Sequence, residues 1–155
     1  MKLERIRFFP FKRAKKYPFS YEAIVGVGGN EGNVKRRFVR LVRFLQNDRR
    51  LRVTQTSPIL HNPAFGYVDQ NDFCNAVMVL QTSLHVRALL KIFLHVEKLF
   101  GRKRVFKNGP RTLDLDIIFF DNLVRNQKHI SLPHPHWEER LSVIIPLVML
   151  KQLKG

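Results

Sequence analysis

Two aspartates, Asp114 and Asp116, stand two residues apart in the stretch NGPRTLDLDIIFFDN at 108–122. The apolar run that follows them is typical of a buried β-strand. Because strand side chains alternate between faces, both carboxylates point the same way, and their Cα atoms lie about 6–7 Å apart. Two carboxylates at that spacing can hold hard cations, and a pair of Mg²⁺ ions would suit them. The alternative is a half-exposed strand with one polar face.

A basic loop precedes the aspartates. Its positive residues are Arg102, Lys103, Arg104, Lys107 and Arg111. Carboxylates that bind Mg²⁺ beside a cationic loop are suited to a polyphosphate, because metals bridge phosphate oxygens and arginines stabilise charge on the transferred group. The alternative for the loop alone is a solvated run of charges. The combination indicates phosphoryl-group transfer more specifically than either part.

Three further sets of residues could contact a ligand. Glu97 lies near the end of a predicted helix, where it could bind a ligand, hold an arginine or be an ordinary surface acid. Phe73 and Asn75 share one face of a predicted strand and could stack on and hydrogen-bond a flat heterocycle, although core packing also explains Phe73. His134 and His136 lack an evident third metal ligand, so we expect contact with an anion rather than a zinc site.

The elements that position these residues follow the order strand, helix, strand, strand, helix, strand. The first five cover 21–28, 34–46, 51–59, 73–83 and 84–100, and the sixth is the aspartate strand. A final short helix, interrupted by Pro146, is predicted near the end of the chain. This order predicts an α+β, ferredoxin-like β-α-β-β-α-β sandwich with a mainly antiparallel sheet and helices on one face. Loops, a ligand or a partner would cover the other face.

The composition indicates one domain with a charged surface. The 155 residues are 45% apolar, enough for a hydrophobic core. The net charge is +16, and residues 1–20 carry seven Lys/Arg against Glu4. Such a surface attracts polyanions, although a solvated basic surface is an equal explanation. We interpret 1–20 as a basic N-terminal arm and 21–155 as the domain. The single cysteine favours a cytoplasmic location, and no apolar run is long enough for a membrane span.

The stretch GPRTLDLDIIFF at 109–120 resembles the signature of 6-hydroxymethyl-7,8-dihydropterin pyrophosphokinases, enzymes of folate biosynthesis. The similarity runs from about residue 23 to about residue 147. Its other parts are GGN at 28–30, NPAFG at 62–66, FCNAV at 73–77, Glu97 with Gly101, Arg102 and Arg104, LPHP at 132–135, and Arg140. The family fold is ferredoxin-like, in agreement with the predicted order of elements.

The resemblance implies a reaction and its site. The terminal two phosphates of ATP would pass as one unit to the pterin hydroxymethyl group and leave AMP, with two Mg²⁺ ions on Asp114 and Asp116. The catalytic residues would be Arg102, Arg104 and Arg111. The ATP-binding residues would be Glu97, Arg104, Arg111, Ile117, Ser131, His134 and Arg140. The pterin-binding residues would be Asn62, Pro63, Phe65, Phe73 and Asn75.

Three positions depart from the family pattern. Ser142 stands where the family often has a second aromatic residue that closes the pterin sandwich. We therefore expect either weaker pterin binding or replacement of that ring by a nearby residue such as Trp137 or Leu141. Asn108 stands where some members have a tryptophan, and His136 replaces a common arginine. These departures bear on pterin stacking and nucleotide affinity and leave the metal pair intact.

The competing class is a ferredoxin-like nucleic-acid-binding module, which the positive charge would suit. The aromatic RNA-recognition motif of such sheets is absent from the sequence. Paired acids on the binding face would also repel phosphates unless metals intervene. We therefore expect small-molecule partners, ATP and the pterin, with no specific nucleic acid and no membrane partner.

Overall fold

The computed structural model describes residues 1–13, 17–103 and 106–154. In these ranges the strands are β1 (Lys2–Glu4), β2 (Phe11–Lys12), β3 (Tyr21–Gly29), β4 (Leu51–Thr56), β5 (Ile59–Asn62), β6 (Phe73–Thr82), β7 (Asp114–Phe120), β8 (Arg125–Gln127) and β9 (Ile130–Leu132). The helices are α1 (Val34–Gln46), α2 (Val86–Leu99) and α3 (Leu141–Lys154), and a short 3₁₀ helix covers Trp137–Glu139. Within the described ranges, no helix combines the length and apolarity needed to cross a membrane.

The ends of α1 and α2 follow from local chemistry. The Asn33 side chain caps α1 by accepting a hydrogen bond from the Arg36 N–H, at 3.1 Å. The residues of α1 that face the core are Val34, Phe38, Leu41, Val42 and Leu45. α2 begins at Val86, two residues later than predicted. Gly101 follows α2 with φ +86°, a left-handed conformation that glycine adopts readily and that ends helices.

The central sheet has the ferredoxin-like order. β7 pairs with β3, β3 pairs with β6, and β4 and β5 both pair with β6, all antiparallel. The predicted β-α-β-β-α-β order and mainly antiparallel sheet are therefore confirmed. The predicted strand 51–59 is divided into β4 and β5 at Ser57-Pro58, since proline has no N–H for the strand ladder.

Both faces of this sheet are covered by helices. On β6, Met78 belongs to the core beneath α1 and α2, whereas Val77 and Val79 pack against Leu150 of α3. The expectation that all helices lie on one face was therefore wrong. The predicted interruption of the last helix was also wrong, because α3 continues through Pro146 and is long enough to lie across the second face.

Residues 1–13 add two strands that the sequence analysis did not predict. β1 pairs with β5, and β2 pairs with β4, both antiparallel. Between them Phe9 is fully buried and packs against Phe38 of α1, with ring centroids 5.5 Å apart. The described part of the segment is thus packed on the domain. The division of the chain at residue 20 stays a prediction.

Candidate active site

Asp114 and Asp116 lie at the start of β7 on the sheet face away from α1 and α2. Across the ladder, Asp114 is opposite Gly28 and Asp116 is opposite Gly26 of β3. The intervening Leu115 points into the core, as the alternation of strand side chains requires. Because the facing residues are glycines, the space above the two carboxylates is left open, and both carboxylates line the same cleft.

Two arginines hold Asp114. Arg102 Nη1 donates a hydrogen bond to Asp114 Oδ1 at 2.8 Å, and Arg111 Nη1 donates to Oδ2 at 3.2 Å. Burial alone would lower the pKa of the Arg102 guanidinium, but Asp114 and Glu97 more than offset this and raise it. The predicted Arg104 lies outside the described residues.

Glu97 is buried behind the aspartate strand, at the end of α2. Its Oε2 accepts hydrogen bonds from Arg102 Nη1 at 2.6 Å and from the Leu115 N–H at 2.7 Å. Burial raises the pKa of this carboxyl group despite those bonds. One acid therefore holds both the basic loop and the strand between the two aspartates. The predicted contact of Glu97 with ATP stays a prediction.

Asp116 is the most perturbed acid of the site. Burial, followed by the negative charges of Asp114 and Glu97, raises the pKa of Asp116 to about 7. A like charge nearby disfavours ionisation of a carboxyl group, and an opposite charge favours it. A proton or a bound cation would therefore reduce the repulsion between the Asp114 and Asp116 carboxylates.

The turn after β3 fixes the loop that carries Arg111. The Asn30 N–H donates to the Arg111 carbonyl, and Asn30 Oδ1 accepts from the Arg111 N–H, both at 2.9 Å. Asn30 Nδ2 donates to Gln70 Oε1 and to the Asn71 carbonyl, both at 2.9 Å. Gln70 Nε2 donates in turn to the Asn108 carbonyl at 2.8 Å. The sequence analysis missed Asn30 and Gln70, and the only signal was the GGN turn within the resemblance.

Arg37 of α1 is a second residue that the sequence analysis missed. Its Nη1 donates to the carbonyls of Glu31 and Thr112, both at 2.7 Å. These bonds tie the residues just before β7 to the turn after β3. Among 28 Lys and Arg residues, no pattern in the sequence distinguishes this one.

Asn75 and Phe73 lie on β6, beside β3, and line the same cleft as the aspartates. Asn75 Nδ2 donates to Asn62 Oδ1 at 2.6 Å. A Cβ at Gly28 would lie 2.6 Å from Asn75 Oδ1, so glycine is required for this amide orientation. The Arg111 guanidinium carbon lies 5.6 Å from the Phe73 ring centroid. Arg111 thereby connects the aromatic side of the cleft to Asp114.

The rim of this side is more open. The Phe65 side chain is 69% exposed, and the Arg140 guanidinium carbon lies 5.3 Å from its ring centroid. Leu141 and Ser142, at the start of α3, line the cleft. Trp137 instead packs edge-on against Phe119, with ring centroids 5.0 Å apart.

Apart from Glu97, the predicted site residues that the structure describes line two adjoining clefts. The first has a volume of about 500 Å³ and is lined by Asn62, Pro63, Phe65, Phe73, Asn75, Arg102, Arg111, Asp114, Asp116, His134 and Arg140, among others. The second has a volume of about 300 Å³ and includes Ile117 and Ser131. They meet at Asp116 and His134, which line both. Glu97 lines neither cleft and is buried behind them.

His134 stands where the two clefts meet. Burial lowers the pKa of its imidazole, which favours the neutral ring. Its Nδ1 lies 2.9 Å from the Pro135 carbonyl, which assigns the proton to Nδ1. Nε2 is then an acceptor, which suits a hydroxyl or amino group of a ligand. The predicted contact with an anion stays a prediction and would require protonation of the ring.

The fold and the clefts define a class of protein. One sheet face presents two acids, the arginines that bind them, and an amide beside an aromatic ring. Acids that attract cations, next to arginines, can handle a polyphosphate, and the amide and ring can hold a flat heterocycle. This is the arrangement of a nucleotide-dependent group-transfer enzyme.

Comparison with known proteins identifies the family. The model of the 7,8-dihydro-6-hydroxymethylpterin-pyrophosphokinase family matches residues 24–152. A 2-amino-4-hydroxy-6-hydroxymethyldihydropteridine pyrophosphokinase of Campylobacter jejuni is 49% identical over 147 residues, which are 95% of this chain and 94% of the relative. The Helicobacter pylori protein of the same name is 40% identical over 92% of this chain and 89% of its own length. The chain belongs to this pyrophosphokinase family, and the resemblance is confirmed.

Proposed function

We propose that this chain transfers the pyrophosphoryl group of ATP to the hydroxymethyl group of 6-hydroxymethyl-7,8-dihydropterin, giving the pterin diphosphate and AMP in folate synthesis. Membership of the family and the names of its relatives support this reaction. The carrying observation is that one cleft holds Asp114, Asp116 and Arg111 close to Phe73 and Asn75. The two groups of residues suit the two substrates.

At the β-phosphorus of ATP, the reaction forms one bond and breaks another. The hydroxymethyl oxygen of the pterin bonds to the β-phosphorus of ATP, and the bond from that phosphorus to the oxygen kept by AMP breaks. The hydroxyl group loses its proton, and AMP leaves with the electron pair. Such a transfer depends on alignment and charge neutralisation more than on covalent help. A sheet with side chains fixed by hydrogen bonds supplies a rigid frame for both.

Asp114 and Asp116 would hold two Mg²⁺ ions. Carboxylate oxygens are ligands that Mg²⁺ prefers, and two carboxylates leave positions for phosphate oxygens and water. The raised pKa of Asp116, caused by burial and the neighbouring acids, supports a site that gains from positive charge. When bound, the ions would neutralise charge on the transferred group.

The arginines Arg102, Arg104 and Arg111 would be the catalytic cations. Arg102 and Arg111 bind Asp114 in this structure. Each group binds Asp114 through Nη1 alone and keeps further N–H donors that would bind the triphosphate. Arginine presents several N–H donors in a fixed plane, which suits the oxygens of a phosphate group. Closure of the loop on ATP would also exclude water, which would otherwise hydrolyse it.

The remaining residues would bind the two substrates. On the pterin side, Asn75 would read the hydrogen-bonding edge of the ring and Phe73 would stack on it. The loop residues Asn62, Pro63 and Phe65 would complete that side. The nucleotide would occupy the second cleft and the edge of the first, with contacts from Arg104, Arg111, Ile117, Ser131, His134 and Arg140. Glu97, which lines neither cleft, would act on the nucleotide through Arg102.

A cytoplasmic location is part of the proposal, since both substrates are small polar molecules and the single cysteine fits a reducing compartment. The nucleic-acid alternative gains no support. The sheet face that such a module would offer carries Asp114 and Asp116, and α3 packs across part of it.

Identification of the products tests the reaction. The purified chain is incubated with Mg-ATP, with and without the hydroxymethyl pterin, and the nucleotides are separated. We expect AMP and pterin diphosphate only when both substrates are present. Release of ADP, or release of AMP at the same rate without the pterin, would contradict the proposal.

A further inference from the structure

The N-terminal strand β1 borders the part of the cleft proposed for the pterin. Leu3 pairs with Leu60 of β5, and Leu60 pairs with Asn75 of β6. These three residues form one row across three strands, so their side chains share a face. In the same ladder Lys2 pairs with His61 and points to the opposite face. Leu3 therefore points to the face of the sheet that carries Asn75.

Met1 continues this face at the edge of the cleft. By alternation it shares the side of Leu3, and it lines the cleft together with Asn62, Phe73 and Ser142. The Met1 side chain is 68% exposed and that of Leu3 is 42% exposed. Two apolar side chains are therefore held in solvent next to a pocket that suits a flat ring.

Contacts on the other side of β1 hold this register. Glu4 Oε2 lies 3.1 Å from Lys35 Nζ of α1, and Glu4 Oε1 lies 2.7 Å from His61 Nε2. A slip by one residue would turn Met1 and Leu3 to the opposite face, so a fixed register keeps both at the cleft.

The cleft has a gap that such a side chain can fill. Ser142 lies in its wall, and a serine side chain cannot stack on a ring. Trp137 is engaged with Phe119. Methionine is flexible and polarizable, and its sulfur makes favourable contacts with aromatic rings. A methionine at the border of β1 can therefore adapt to the free face of a bound ring.

We propose that β1 completes the pterin pocket. Met1 covers the face of the pterin that Ser142 leaves open, and Leu3 supports Met1 on the same face of the strand. This inference rests on the proposed function, because it takes the ring to be a pterin bound by Phe73 and Asn75. It assigns residues 1–4 a role in substrate binding.

Residues 1–23 precede the range that the family model matches. The match to the Campylobacter jejuni protein covers 147 of the 155 residues, so it includes more than half of residues 1–20. Part of residues 1–20 is therefore shared with this relative and lies outside the family-wide match.

Pterin binding by strand variants tests the inference. Met1→Ala is produced from a cleavable N-terminal fusion that leaves alanine as the first residue. Lys2→Ala is the matched control on the opposite face of β1. Calorimetry gives the pterin Kd in the presence of a nonhydrolysable ATP analogue and the Kd of the analogue alone. We expect Met1→Ala to weaken pterin binding about two- to tenfold, with analogue binding and the Lys2→Ala variant unchanged.

A rescue variant distinguishes a role of Met1 in the pterin pocket from a role in the stability of the fold. Adding Ser142→Phe to Met1→Ala supplies a ring from α3, and we expect pterin affinity to return to within about twofold of the original. A structural effect of losing Met1 would not be rescued from α3. Equal weakening of the pterin and the analogue in Met1→Ala, or no rescue, would overturn the inference.

A second variant keeps this inference distinct from the proposed function. If Met1→Ala binds the pterin normally while Asn75→Ala weakens it, the inference is overturned and the pterin pocket stands. If Asn75→Ala also binds the pterin like the original chain, the proposed pterin pocket is misplaced, and the inference about Met1 is overturned with it. Thermal unfolding of each variant verifies that it is folded before binding is measured.

Discussion

The two ends of the main cleft are built in opposite ways. We call the end with Asp114 and Asp116, proposed to bind phosphates, the phosphate end, and the end with Phe73 and Asn75, proposed to bind the pterin, the pterin end. At the phosphate end, Arg102 donates hydrogen bonds to Glu97 at 2.6 Å and to Asp114 at 2.8 Å. At the pterin end, Asn62 and Asn75 form a polar pair, while Phe65 is largely exposed. Charged groups must be fixed before the ligand arrives, since reorienting them during the reaction is costly. A flat ring can instead be enclosed by side chains that settle as it binds.

The loops join the two ends. Asn30 binds Arg111 on one side and Gln70 on the other. In the neighbouring contact, the rings of Tyr67 and Phe106 meet edge-on with centroids 5.1 Å apart. The loop next to the pterin end and the basic loop therefore contact each other directly, and we expect a change in one to affect the other through these contacts.

The largest expected effect is at the phosphate end. Asp116→Asn removes a charged side chain from the proposed metal site, and we expect turnover to fall by at least about 10²–10³-fold, because stabilising charge in the transition state is a large contribution. Steady-state assay of AMP formation at saturating Mg²⁺ measures it. Asp121→Asn is the matched control just beyond the other end of β7, where the side-chain oxygen accepts from the Glu22 N–H and an amide oxygen can do the same. Turnover equal to that of the control would remove Asp116 from the metal site.

The pterin end should show a smaller effect that is confined to one substrate. In Asn75→Ala the edge of the ring loses its partner, and an unpaired buried polar group costs about 1–3 kcal/mol, or about 5- to 150-fold in affinity. Affinity for an ATP analogue should not change. Cys74→Ser is the matched control, because the Cys74 side chain packs on the opposite face of the strand, and its pterin affinity should not change. Calorimetric titration measures both ligands, and a parallel loss of ATP affinity would show that the two ends are not separable.

Replacing Asn30, which joins the loops of the two ends, should have a still smaller effect, and this effect should concern the binding of both substrates. Asn30→Ala removes the acceptor for the Arg111 N–H and the donor to Gln70, so we expect both substrates to bind a few-fold more weakly and the free energy of unfolding to fall by about 1–3 kcal/mol. A double-mutant cycle with Gln70→Ala measures the coupling energy between Asn30 and Gln70, which we expect to be about 0.5 kcal/mol or more. Strict additivity would mean that the two loops act independently.

The same contrast explains what the sequence could predict. The shared face of Asp114 and Asp116, and that of Phe73 and Asn75, follow from strand alternation over three residues, so local patterns were enough. Asn30 acts on Arg111 from 81 positions away. That contact depends on β3 and β7 being neighbours in the sheet, which no local pattern encodes.

The elements that the sequence analysis missed have a physical reason too. β1 and β2 are short, lie among charged residues and are separated by a proline, so they lack the apolar alternation that predicts a strand. Their stability comes from pairing with β5 and β4 and from the buried ring of Phe9. α3 was predicted to be interrupted because of Pro146, yet packing of Leu147 and Leu150 on the sheet offsets the lost hydrogen bond.

The smallest effect concerns stability and pH at the phosphate end. In metal-free protein, burial and the neighbouring acids raise the pKa of Asp116 to about 7, whereas an unfolded aspartate titrates near about 3.9. Between these values the folded chain binds a proton that the unfolded chain has lost. The contribution of Asp116 to the free energy of unfolding therefore falls as pH rises through this window and is lowest above pH 7.

Asp116→Asn removes that dependence, so the variant should gain stability relative to the original chain as pH rises from 5.5 to 8.5. Because the carboxyl group is only partly shielded from water, we expect a relative gain of about 1–2 kcal/mol, or about 2–8 °C in Tm. Thermal unfolding in a chelating buffer at the two pH values measures it, with Glu138→Gln as a control that removes an exposed acid. Added Mg²⁺ should stabilise the original chain and reduce the advantage of Asp116→Asn. An advantage that is the same at both pH values would show that Asp116 ionises normally, and that relief of repulsion between the acids contributes little to cation binding.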